Sequence, residues 1–373
     1  MNVWIINPFD NLPAEGYRAE RFTLMAEAFR AAGHTATHWT MDFSHALKRP
    51  RTIPPPPGVR FIHSPPYPKN ICLSRLWAHR TWARNWRIAA EREPSPPDLV
   101  VVSSPPISIC SQVRQYCRRR NIPYIIDVMD AWPETFERVV PRWTLAPLRR
   151  IAAANYRHAS KISVVASRYL ALVQNDYKTF SPVRLFYHGI ATTPSPLPAP
   201  PAAARTLVYI GNMSASYDLA TLLDAMRLAP EWQLHLAGSG PDESALRRIA
   251  PPNAIFHGYL SARDLRHLLS TAAAGIVPMF ASSCVGIPYK LGDYAAASLP
   301  AISCLEGETR DLLSRYGAGV HYQARNASAL ANVLHSLSPE RIASMREGMR
   351  RLARLFDASA IYPAYVEWAL AAP

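Results

Sequence analysis

At 373 residues the chain exceeds one typical domain, so two domains of ordinary size are expected. Hydrophobic residues at 49% and aromatics at 10% exclude a disordered chain, and no apolar run approaches the ~20 residues of a membrane-spanning helix. The net charge of +14 is lopsided: residues 1–190 hold 26 Lys and Arg against 13 Asp and Glu, residues 191–373 hold 15 against 14, and the first half therefore suits an anionic partner.

Val3–Asn7 reads as a first strand, because the apolar start lacks the basic residues of a signal peptide and runs into Pro8 and Asp10. After a loop with Pro13-Ala14-Glu15-Gly16 comes a helix carrying Phe22, Met25, Ala26 and Phe29 on one face, closed by Gly33. Thr35–Met41 then completes the opening unit of a doubly wound sheet. Beyond four consecutive prolines (54–57), Val59–His63 is a further strand. Leu73–Glu91 reads as a helix in which Arg75, Arg80, Arg84 and Arg87 alternate with Trp77, Trp82 and Trp86. That composition suits the headgroup layer of an anionic bilayer, and it equally suits a helix that packs its tryptophans on the sheet. Asp98–Ser103 is apolar enough for a strand buried on both faces. The strand Pro123–Val128 runs into Met129-Asp130-Ala131-Trp132-Pro133-Glu134, where Asp130 is placed to cap a following helix. Lys161–Ala166 and Val183–His188 are the last strands before Thr192–Pro201, a proline-rich linker.

The pattern then restarts. Thr206–Ile210 leads into Gly211-Asn212, and Gln233–Ala237 leads into Gly238-Ser239-Gly240. Ala254–Leu260 contains the turn Gly258-Tyr259, a helix spans Ser261–Ser270, and Ala273–Met279 is a short buried strand. The loop Cys284-Val285-Gly286-Ile287 follows, with Pro288 in the first turn of a helix that carries Lys290 and Asp293. Backbone N–H groups at such a helix start, with an added lysine, attract phosphate, and an acid one turn on suits ribose hydroxyls. A surface helix with a solvated Lys290–Asp293 pair is the alternative. Glu306-Gly307-Glu308 opens a further loop, and an aromatic segment from Tyr362 to Trp368 lies near the end.

Taken in order, these segments resemble the GT-B glycosyltransferases, and the glycosyltransferase 4 family in particular. Pro288-Tyr289-Lys290 followed by Asp293-Tyr294 is similar to that family's donor-site segment, with Asp293 where Glu is commoner and Val285 where the family's first Glu stands. Asp130-Ala131-Trp132-Pro133-Glu134 resembles the Asp-Leu-Trp-Pro-Glu motif of a bacterial surface-polysaccharide branch, with Met129 in place of His or Arg. The resemblance implies an α/β fold of two Rossmann-like domains facing a cleft. Residues 1–191 would form the acceptor domain, 192–204 a linker, 205–356 the nucleotide-sugar domain, and 357–373 a helix packing back on the first domain. It implies Asp130 and Lys290 as catalytic residues. Donor contacts would come from Gly16, Gly211, Asn212, Gly258, Tyr259, Gly286, Ile287, Lys290, Asp293 and Glu308. Arg18, Arg80, Arg84 and Arg87 would serve the acceptor or a membrane.

The implied reaction moves a sugar from a nucleotide-sugar donor, UDP-sugars foremost, to a hydroxyl of a lipid-linked saccharide in surface-polysaccharide synthesis. Retention of configuration is expected, with no cofactor and no metal, since Lys290 and helix dipoles would offset the leaving diphosphate. No nucleic-acid motif accompanies the charge. Five scattered cysteines suit a reducing cytoplasm, and the basic half suits peripheral attachment to the inner face of the cytoplasmic membrane. A nucleotide-sugar epimerase and a non-catalytic binder of the same fold are the competing readings.

Overall fold

A computed structural model describes all residues except 71, 139, 192–204, 281, 282, 284 and 373. The expected linker at 192–204 and Cys284 thus lie outside the described residues. The chain divides into two compact units, residues 1–189 with 358–373, and residues 190–357.

The first unit alternates strand and helix: β1 (Asn2–Ile6), α1 (Arg21–Ala31), β2 (Thr35–Met41), a small antiparallel pair β3 (Phe43–Ser44) and β4 (Arg49–Pro50), then β5 (Val59–Ile62). It continues with α2 (Leu73–Arg92), β6 (Leu99–Ser104), α3 (Ile107–Arg120), β7 (Tyr124–Val128), α4 (Ala146–Arg157), β8 (Lys161–Val164), α5 (Ser167–Ala171) and β9 (Val183–Leu185). Seven strands form a parallel sheet in the order β5-β2-β1-β6-β7-β8-β9. Residues 99–104 are buried throughout, as a central parallel strand covered on both faces must be.

The second unit repeats the scheme with β10 (Thr206–Ile210), α6 (Leu219–Leu228), β11 (Gln233–Ala237), α7 (Glu243–Ile249), β12 (Ala254–Gly258), α8 (Ala262–Thr271) and β13 (Ala274–Val277). It ends with α9 (Tyr289–Ala296), β14 (Ala301–Ser303), α10 (Glu308–Tyr316), β15 (Gly319–His321), α11 (Ala327–His335) and α12 (Pro339–Ala353). Its parallel sheet runs β12-β11-β10-β13-β14-β15. The last helix, α13 (Ala358–Leu370), belongs to the first unit, where Tyr362, Tyr365 and Val366 join Val3, Ile5, Phe22 and Phe29 in one core.

Strand order reverses between β1 and β6 in the first sheet and between β10 and β13 in the second. Loops leaving the carboxyl ends of such a pair diverge to opposite faces and open a crevice, the usual ligand position in these folds.

Candidate functional site

In the second unit the reversal point is built from glycines. Gly211 (φ 132°) follows β10 and Gly238 (φ 126°) follows β11, in a backbone region that side chains disfavour. A Cβ on Gly238 would lie 2.0 Å from the Gly211 carbonyl oxygen, so the two turns pack backbone to backbone. Gly211 N–H donates to the Ala237 carbonyl and Gly238 N–H to that of Gly258, at 2.9 and 2.7 Å. These bonds draw the ends of three strands together. Gly211 and Asn212 remain exposed, Gly258 closes β12, and Tyr259 is 70% exposed.

Helix α9 is fixed over this edge by Tyr294, whose hydroxyl donates to the Val208 and Ile276 carbonyls at 3.1 Å. Gly275 leaves room for that ring: a Cβ there would meet it at 2.6 Å. Lys290 lies one turn earlier on the same face, so it is carried inward too. It is 5% exposed. Its Nζ sits 4.0 Å from the Tyr209 ring centre and 3.8 Å from that of Tyr217, and no described residue accepts a hydrogen bond from it. A Cβ on Gly211 would be 3.4 Å from that nitrogen, which places the ammonium at the β10 turn. Burial pushes its pKa well below the ordinary lysine value. The solvated pair with Asp293 is therefore not what this helix carries; Asp293 itself is half-buried and has its own partners.

Ahead of α9, Gly286 and Ile287 are buried, and the Thr309 hydroxyl holds the Gly286 carbonyl at 2.7 Å. Pro288 is the N-cap, one residue before the helix proper. Glu308 begins α10, half-buried and partnered. Sequence reasoning missed Tyr209 and Tyr217, since neither has a spacing that ties it to Lys290.

In the first unit, Asp130 follows β7. Its Oδ1 accepts from the Ala131 N–H (2.8 Å) and the Thr135 hydroxyl (3.1 Å), and its Oδ2 from the Trp132 indole N–H (3.2 Å). Burial raises its pKa against the pull of these bonds. The carboxylate thus orients the Trp132 loop and is not the expected helix N-cap, because the helical turn that follows starts only at Glu134. Gly16 (φ 84°) ends the turn Pro13–Glu15 with nothing near its Cβ position, so backbone conformation alone requires glycine there. Arg18 is exposed and partnered.

Helix α2 corrects the expectation of interleaved membrane-facing tryptophans. Trp82 and Trp86 are fully buried, Trp86 against Tyr116, and only Trp77 of the three turns outward, at 59% exposure. Helical periodicity is the reason: Ala78, His79, Trp82, Ala83, Trp86 and Ala90 make one inner face. Arg80 and Arg84 are exposed, whereas Arg87 is held by Glu91 at 2.7 Å. Arg75 points into the cluster around Trp132, 5.4 Å from that ring, a placement the 75-79-82-86 spacing shared with the buried residues could have signalled.

Residues 204–338, most of the second unit, match the family model described as Glycosyl transferases group 1. Comparison with curated proteins returns no match. Among solved structures, sucrose-phosphate synthase from Thermosynechococcus elongatus superposes with a TM-score of 0.76 at 17% identity, over 99% of this chain and 98% of that one. HepE of Anabaena, solved with UDP-glucose, gives 0.70 at 13% identity over 99% of both chains. WaaG, a glycosyltransferase involved in lipopolysaccharide biosynthesis, gives 0.66 at 15% identity over 99% of this chain and 100% of that one. The chain has the two-domain α/β fold of the GT-B glycosyltransferases, and its residues 204–338 match the group 1 glycosyl transferase model.

Proposed function

We propose that the protein transfers a sugar from a nucleotide-sugar, a UDP-sugar foremost, to a hydroxyl of a lipid-linked saccharide in surface-polysaccharide synthesis. The observation that carries this reading is the Lys290 amine, buried and with no hydrogen-bond acceptor among the described residues, at the glycine-lined reversal point of the second sheet. A buried cation without an anion is costly, and a nucleotide diphosphate would supply the missing charge. The start of α9 would add its free N–H groups on the same side. HepE, a structural neighbour, was solved with UDP-glucose, which supports the donor class.

In the proposed reaction the anomeric C–O bond to the diphosphate breaks, the acceptor oxygen bonds to that carbon, and the acceptor hydroxyl proton passes to the departing diphosphate oxygen. Lys290 would stabilise the charge gathering on the departing diphosphate, which is where a metal-independent transferase needs it. Asp293 and Glu308 are proposed for ribose and sugar, Gly258 and Tyr259 for the base, and Gly211, Asn212, Gly286 and Ile287 as backbone lining. Retention of configuration and placement in the glycosyltransferase 4 family belong to the same proposal. Peripheral attachment at the inner membrane face, through the basic first unit, completes it.

The test is a thermal-shift panel of UDP, GDP, ADP and TDP sugars with wild type and Lys290→Ala. One nucleotide class should stabilise wild type. Lys290→Ala should bind it more weakly by ~1.5–3 kcal/mol, the range for charge-assisted hydrogen bonds. Equal nucleotide affinity in a folded Lys290→Ala protein removes the basis of the proposal.

A further inference from the structure

The loops at the carboxyl edge of the first sheet gather side chains from five separate places. Phe9 follows β1, His45 and Lys48 lie between β3 and β4, Tyr67 follows β5, Arg75 and His79 come from the start of α2, and Trp132 follows β7. Arg75 Cζ lies 5.4 Å from the Phe9 ring, 5.4 Å from Trp132 and 6.0 Å from Tyr67. Lys48 Nζ lies 5.3 Å from the same Tyr67 ring. Two cations thus share one aromatic wall.

Among the described residues neither cation has a carboxylate of its own. Arg75 Nε donates to His79 Nε2 at 3.2 Å and Nη1 to the Asn70 carbonyl at 2.5 Å; Lys48 Nζ donates to the His45 carbonyl at 2.5 Å. All three acceptors are neutral. Burial foremost, aided by neighbouring cations, pushes His79 down to about 3 and His45 to about 2, so neither imidazole adds charge at neutral pH. Among the described residues neither Lys48 nor Arg75 forms a salt bridge, and Asp130, the carboxylate whose field reaches Arg75, is already engaged by Ala131, Trp132 and Thr135. Burial foremost, and then Arg75, lower Lys48 to about 8, with the neighbouring Cys72 thiol pulling the other way.

An unpaired pair of cations in a partly desolvated, aromatic basin is a poor structural device and a good anion site. A phosphate oxygen face suits the guanidinium fork, and flat apolar rings suit the sugar or isoprenoid joined to it. We propose that Lys48 and Arg75 bind a phosphate or diphosphate ester carried by the acceptor, with Phe9, Tyr67 and Trp132 contacting the attached group. The proposal deepens the transferase reading and rests on it for the word acceptor; the anion site stands on the first unit alone.

The test is calorimetry on the full chain saturated with UDP, so that the donor site does not compete. Inorganic pyrophosphate and geranyl diphosphate are titrated, with geraniol as the uncharged control. The diphosphates should bind and geraniol should not, and Lys48→Gln and Arg75→Gln should each weaken binding at least tenfold. Lys48 is only part-buried, so its variant keeps the fold if Arg75→Gln does not. Similar affinities for the two diphosphates mean that the anionic group alone is read; tenfold tighter binding of geranyl diphosphate means that the rings read a lipid stem. Wild-type affinity in folded Lys48→Gln, or no diphosphate binding to wild type, overturns the site. The preceding UDP titration reports separately on the donor reading: failure there, with diphosphate binding still lost in the two variants, strikes the transferase proposal and spares the anion site.

Discussion

Asp130 shows how a single side chain is given its part by its neighbours. As an N-cap alone it would tolerate asparagine almost without cost. Here both carboxylate oxygens accept, from the Ala131 N–H and Thr135 hydroxyl on one side and the Trp132 indole on the other. An asparagine keeps one acceptor and turns an NH₂ donor toward another donor. Asp130→Asn should therefore destabilise the protein by ~1–3 kcal/mol, the cost of an unmet buried partner. It should also loosen Trp132 and slow transfer at least tenfold while donor binding survives. Urea unfolding and steady-state kinetics check both; wild-type stability with lost activity would instead mark Asp130 as acting on the substrate directly. Lys290 is the counterpart in the second unit, where tertiary packing against Tyr209 and Tyr217 turns a nominal surface lysine into a buried one.

Among elements, α2 carries two chemistries on opposite faces. Inward, Trp82 and Trp86 hold it to the sheet and α3, and Arg75 and His79 enter the aromatic basin. Outward, Leu73 (84% exposed), Trp77, Arg80, Arg84 and Ile88 follow one another at helical spacing in a single stripe without an acid. An apolar and cationic stripe of this kind suits the headgroup layer of an acidic bilayer. Each arginine at such a surface contributes about 1 kcal/mol, an attraction that salt screens. Trp77→Ala combined with Arg80→Gln and Arg84→Gln should release the protein from acidic vesicles in co-sedimentation, and leave nucleotide affinity unchanged. Arg87→Gln should have little effect, because that guanidinium is largely buried and held to Glu91, which also binds Arg120. Undiminished vesicle binding in the folded triple variant would move any membrane face elsewhere.

For the whole molecule, the first unit is assembled from both ends of the chain. Lys161 Nζ donates to the carbonyls of Trp368, Ala369 and Ala371 at 2.6, 3.3 and 2.6 Å, satisfying the open end of α13 with a cation where the helix dipole favours one. Tyr365 adds its hydroxyl, 3.2 Å from Ser163, to the network in which Arg21 grips Asp127 at 2.7 and 2.8 Å. A chain ending at residue 357 loses Tyr362, Tyr365 and Val366 from the core, at ~1.5–3 kcal/mol for each large apolar side chain. That sum approaches the whole stability of a typical domain, ~5–15 kcal/mol. The truncated protein should therefore show an unfolded first unit by hydrogen exchange, while residues 190–357 keep their protection. Full protection of β1 and α1 in the truncated chain would show that α13 contributes little.

The sequence by itself determined the alternation of strands and helices, some of it to the residue, as with Thr35–Met41 and Gln233–Ala237. It also determined the glycine turns at the strand ends and the place of Lys290 at the start of a helix. These are local properties: β-branched runs, glycine's conformational freedom and proline's missing N–H act over a few residues. Tertiary structure alone decided which charges lose their water. Whether Lys290 is solvated depends on Tyr294 reaching Val208, 86 residues away, and the basin around Arg75 needs four loops and the start of α2 that only the sheet brings together. Likewise the spacing of α2 puts Trp82 and Trp86 on one face, but that this face turns inward depended on packing against α3, Tyr116 included. Burial is a sum over distant neighbours, and no window of sequence contains that sum.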